Sequence, residues 1–115
     1  MQLFRIATLN LMMKVMTIMS KIDELMPRIF AEIESKNIKE TITLIDELYE
    51  LVLHDKEAVA WLLQPVNITQ LQNSLTEHFG IPRKMFMLRN RVPSAHRRAV
   101  MFVKAISNGV KRADV

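Results

Sequence analysis

Only two glycines, Gly80 and Gly109, occur in 115 residues. Tight β-turns draw heavily on glycine because it alone adopts left-handed backbone angles without a Cβ penalty. A chain with so few of them cannot be built from many short hairpins. Met, Leu, Ile, Glu and Lys dominate the sequence, and all five are good or tolerable helix formers. Half the residues are apolar, which supports a folded core rather than disorder. The sequence therefore predicts an all-α chain, a compact bundle of five to six helices in a single domain over 1–115.

Apolar periodicity places the helices. Leu11, Val15, Ile18, Ile22, Leu25 and Ile29 alternate spacings of four and three, with Met12, Met19, Met26 and Ile33 repeating every seven beside them. This is the seam of a bundle or coiled-coil helix. The expected first helix runs from about Gln2 to Met26, with a kink or a new start at Pro27 and a continuation to Ser35. So much apolar surface predicts either a central buried helix or one that joins copies of the chain through Leu11, Val15, Ile18 and Ile22. Asn37–Leu53 reads as an amphipathic helix. Asp55 reads as the N-cap of a helix over Lys56–Gln64 that Pro65 stops. Asn67 or Thr69 is expected to cap the next helix, which ends at Gly80 in a left-handed residue. Pro82 and Pro93 are each placed to open a helix, Pro82–Asn90 and Pro93 to about Ser107, the latter ending near Gly109.

Charge divides the chain. From Ile81 onward there are nine basic residues and one acid, net +8, whereas residues 1–80 carry seven basic residues and eleven acids, net −4. The expected organisation is a packing or oligomerising part over 1–64 and a basic part over 65–115. Such asymmetry points to an anionic partner, or to attraction between the two halves within one chain or between copies.

The stretch "ITQLQNSLTEHFGIPRKMFMLRN", from Ile68 to Asn90, resembles the helix-turn-helix of phage-repressor-type regulators. Thr76 stands four residues before Gly80, where that motif takes a small residue. Leu75, Phe79, Ile81 and Phe86 fall on its apolar positions. The following "VPSAHRRAVMFVKAI" is similar to the helix that packs behind the reader in that family. The match covers about a third of the chain. Arg89 stands where the family usually holds an apolar residue, so Met85, Phe86 and Leu88 are an alternative set of anchors. The resemblance implies a second helix that enters the major groove, with Arg83, Lys84, Met87 and Asn90 facing double-stranded DNA. Electrostatics adds Arg91, and Arg97, Lys104 and Lys111 at intervals of seven along the last helix, flanked by Arg98 and Arg112.

Chemistry is poorly represented. With no Cys there is no disulfide, thiolate metal site or Cys nucleophile. His54, His78 and His96 have no metal-ligand spacing. Glu77 beside His78 points elsewhere on a helix, and Ser74–His78, Asp46–Glu50 and Glu47–Glu50 lack a third group or a pocket. No glycine loop cradles phosphate. The chain reads as non-enzymatic, with no cofactor and no metal. Arg5 and Lys14 interrupt the apolar N-terminal run, which disfavours a spanning helix or signal peptide and predicts a cytoplasmic chain, or an intracellular one in the host if viral. Two functions fit. One is a small DNA-binding regulator acting as an oligomer. The other is a structural or adaptor protein, such as a viral or phage component, that self-assembles or binds a protein partner.

Overall fold

A computed structural model of the chain describes residues 21–86 and 94–114. Over these residues the protein is all-helical: α1 Lys21–Glu34, α2 Ile38–His54, α3 Lys56–Leu62, α4 Pro65–Phe79, a 3-10 turn η1 at Arg83–Phe86, and α5 Ala95–Ala113. No strand occurs among the described residues. Leu11, Val15, Ile18, Met12 and Met19 lie outside them.

α1 runs without interruption through Pro27, where a kink or new start was expected. Pro27 is exposed, and one face of the helix carries Ile22, Leu25, Met26, Ile29 and Ile33 into the core. Burial of that face compensates for the hydrogen bond that proline removes. α1 ends in a Schellman motif. Lys36 adopts φ 57°, its N–H donates to the Ile33 carbonyl and the Asn37 N–H donates to the Glu32 carbonyl, each at 3.0 Å. That left-handed position usually falls to glycine, so the sequence did not advertise it.

Asn37 then caps α2, its Oδ1 accepting from the Glu40 N–H at 3.4 Å. Thr41, buried within α2, donates its hydroxyl to the Asn37 carbonyl at 2.7 Å. Asp55 closes α2 and opens α3, its carboxylate accepting from the Glu57 and Ala58 amides at 2.9 and 3.4 Å. Replacing Asp55 by Ala should therefore destabilise the fold by about 0.5–2 kcal/mol. A lowered urea midpoint at constant slope checks this; no shift would mean water serves those amides equally well.

The α3–α4 junction differs from expectation. α3 ends at Leu62, before Pro65, and Pro65 itself occupies the first turn of α4 with Gln64 as N-cap. Its missing N–H falls where no helical partner exists. Asn67 caps nothing: its side-chain amide donates to the Trp61 carbonyl at 2.7 Å and staples α4 to α3. Gly80 ends α4 with φ 69°, its N–H bonded to the Thr76 carbonyl, as the sequence predicts.

α2 lies between α1 and α5, α4 sits against α1, and α3 sits against both α5 and α4. The shared core includes Ile29, Ile33, Leu44, Leu48, Leu62, Leu71, Leu75, Phe102 and Ile106, drawn from every α-helix. The basic α5 packs chiefly on α2.

Candidate nucleic-acid interface

Ser94 caps α5, its hydroxyl accepting from the Arg97 N–H at 3.4 Å. Ala99, Phe102, Val103, Ile106, Gly109 and Val110 face the core. Gly109 lies inside the helix rather than at its end, and Ala95 is exposed. With the buried stripe fixed, the opposite side of α5 must present Arg97, Met101, Lys104, Asn108 and Lys111, all exposed. Seven residues make two helical turns, so the three cations stand about 10 Å apart along the axis.

α5 runs antiparallel to α2. His96 Nε2 meets the Leu53 carbonyl at 3.1 Å near one end, and the Lys104 ammonium lies 6.0 Å from the centre of the Tyr49 ring further along. Tyr49 and Trp61 are half-buried and pack against the core, which accounts for both aromatic rings structurally. His54 lies 3.9 Å from Glu50 on the outer side of α2.

All twelve acidic side chains belong to described residues. The ion pair found there is Arg28–Glu47, and His54 lies beside Glu50, both contacts at 3.9 Å and both on exposed side chains. Lys84, Arg97, Lys104, Lys111 and Arg112 pair with no acid among the described residues. The positive charge of α5 is not neutralised by the acidic half of its own chain.

The corner between α4 and α5 is where the structure departs most from the sequence reading. A helix was expected from Pro82 to Asn90. Its described part is one 3-10 turn, Arg83–Phe86, closed by the Met85 N–H on the Pro82 carbonyl at 3.1 Å. Side chains of α4 hold this turn. Thr76 donates to the Ile81 carbonyl at 2.7 Å and Gln72 donates to the Phe86 carbonyl at 3.1 Å. A bond to the carbonyl at each end fixes the tight turn. Ile81 and Phe86 point inward and are buried, so two of the apolar positions named from the sequence do anchor the corner.

The candidate site residues have separate fates. Lys84 is exposed. Arg83 is also exposed, but its guanidinium donates to Asn73 Oδ1 on α4. Arg98 is half-buried, and its Nε lies inside without a hydrogen-bond partner. Arg97 and Lys104 lie outward on α5. Asn90 and Arg91, with Met87, Leu88, Arg89 and Pro93, lie outside the described residues. Ile22, considered for oligomerisation, is buried in the chain's own core. Met101, 43% exposed within the cationic line, was not singled out from the sequence. Its place on the outward face follows from the same seven-residue spacing.

Among the described residues no helix is long and apolar enough to cross a membrane, and no group of three or more His, Asp or Glu side chains is placed to hold a metal ion. No protein-family model matches the chain, and no curated protein or solved structure is significantly similar to it.

Proposed function

We propose that the chain is a small, non-enzymatic DNA-binding protein of the regulatory kind. It grips the phosphate backbone of duplex DNA with Arg97, Lys104 and Lys111 of α5, assisted by Lys84 of the corner. The observation that carries this reading is the outward line of three cations, unpaired although every acid of the chain is in view. Cations about 10 Å apart match the scale of a major groove about 12 Å wide, so neighbouring members of the line reach phosphates on opposite groove walls. The line carries no aromatic ring on which bases could stack, which favours duplex over single strands. Backbone contacts give affinity and register, not sequence. Arg83, the first candidate for base reading, is engaged by Asn73; the proposal therefore rests on phosphate contacts from α5 and Lys84.

Anisotropy of a labelled mixed-sequence duplex over a salt series tests this. Three to four phosphate contacts predict a log–log slope of about −3 to −4. The triple variant Arg97→Gln, Lys104→Gln, Lys111→Gln should flatten that slope by about three and weaken binding uniformly across sequences. Its thermal unfolding should barely change, since all three side chains are exposed. A variant that binds like the parent ends the proposal.

A further inference from the structure

The uncovered face of α5 has a neighbour of opposite sign. On α2 the residues turned away from the core include Glu40, Asp46, Glu47 and Glu50, with Lys39 beside Glu40, all exposed. Arg28 of α1 lies on the Glu47 side of this ridge, and Tyr49 with Lys104 lies on the other. Two parallel strips thus run side by side over the surface, an acidic one on α2 and a basic one on α5, with Tyr49 at their border.

The register of the strips follows from the contacts that join them. The His96–Leu53 and Lys104–Tyr49 contacts together place Lys104 beside the turn of α2 from Ile45 to Tyr49. Because the helices are antiparallel, Lys111, two turns beyond Lys104, is level with the first turn of α2, where Lys39 and Glu40 offset each other. Asp46 and Glu50 bracket the level of Lys104. At the level of Lys104, acid and base are therefore matched in height but displaced sideways, one strip beside the other.

A surface of this kind is complementary to itself. A two-fold axis parallel to the strips and midway between them lays the acidic strip of one copy over the basic strip of the other, and the reverse, at unchanged height. We infer that the α2–α5 face is a docking surface for a second copy of this chain, in which Lys104 meets Asp46 and Glu50 of the other copy. Met101, 43% exposed between Arg97 and Lys104, supplies the apolar contact, and its flexible thioether suits an irregular surface.

Helices of this length and width offer about 500 Å² per copy, or about 1,000 Å² in all, which is the range of weak, reversible association. Exposed ion pairs contribute little each and are screened by salt. The dimer is accordingly a low-salt species. It also covers Lys104 and Lys111, so self-association and polyanion binding exclude one another. The inference does not rest on the DNA reading, because the dimer needs no nucleic acid.

Sedimentation of the full chain in low and high salt, without nucleic acid, tests it with three variants. Asp46→Lys with Glu50→Lys, and separately Lys104→Glu, should each weaken association by about 10-fold or more, since the symmetry doubles every lost pair. The two sets combined restore opposite signs across the interface and should restore the dimer. A parent that stays monomeric at low salt overturns the inference. So does a combined variant no better than either half, or self-association that is the same in every variant, which would assign assembly to another surface. Adding a duplex of about 20 base pairs separates the two proposals. Dissociation of the dimer supports their sharing of α5, while a dimer intact beside bound duplex overturns the shared surface. Asp46→Lys with Glu50→Lys should bind duplex no more weakly than the parent.

Discussion

Phe86→Ala should lower the unfolding free energy by about 3–5 kcal/mol, the range for deleting a buried aromatic ring. Phe86 is 1% exposed although it belongs to a four-residue 3-10 turn. Its ring lies over Gly109 of α5, and its carbonyl is held by Gln72 of α4. Removing the ring leaves a void that cannot collapse easily, because the backbone on either side is tied to α4 through Thr76 and Gln72. Set against a total stability of about 5–15 kcal/mol, such a loss brings the protein close to unfolding at ordinary temperature. Urea titration should show the midpoint falling by roughly 1–3 M with little change in slope. A shift equivalent to less than about 1 kcal/mol would mean that the corner contributes no core packing.

Gly109→Leu should destabilise by about 1–3 kcal/mol, even though glycine is among the poorest residues for a helix interior. A Cβ at this position meets Phe86 Cε1 at 3.1 Å, Ile81 Cγ2 at 3.2 Å and Phe86 Cζ at 3.5 Å. Both neighbours are core side chains on a fastened turn, so neither moves aside freely. Leucine adds three further heavy atoms in the same direction. The two substitutions should also compensate each other. In Phe86→Ala with Gly109→Leu, the new side chain enters the space that the ring left, and the double variant should be more stable than the sum of the single losses by about 1 kcal/mol or more. Strict additivity in urea titrations would show that the two residues do not share one site.

Several residues that act within their own turn of chain were legible in the sequence, although left-handed Lys36 was not. Asn37 and Asp55 begin helices because their side chains reach amides two or three residues on, and Gly80 ends one because its own backbone turns left-handed. Other features depend on partners far along the chain. Gly109 matters for what stands against it, a ring 23 positions earlier, so a local reading takes it for a helix end. Asn67 looks like a cap until Trp61 offers a carbonyl. Pro27 looks like a break until the apolar face of α1 is seen to be buried on both sides of it. In the candidate interface, the spacing of Arg97, Lys104 and Lys111 was readable because helical period and a buried face determine where an exposed line runs. The engagement of Arg83 by Asn73 was not, because it joins side chains of different elements.

Gly109 lets the corner lie directly on the backbone of α5, so the corner and that helix hold each other in place. If α5 lifts away from α2, Phe86 loses its seat and the corner keeps only its ties to α4. The cationic line is therefore not an appendage that can fray while the bundle persists. It is assembled together with the core or lost with it. An anion gathered along α5 consequently acts on the folding equilibrium of the whole chain, and occupancy there is felt as protection of helices that the anion never touches.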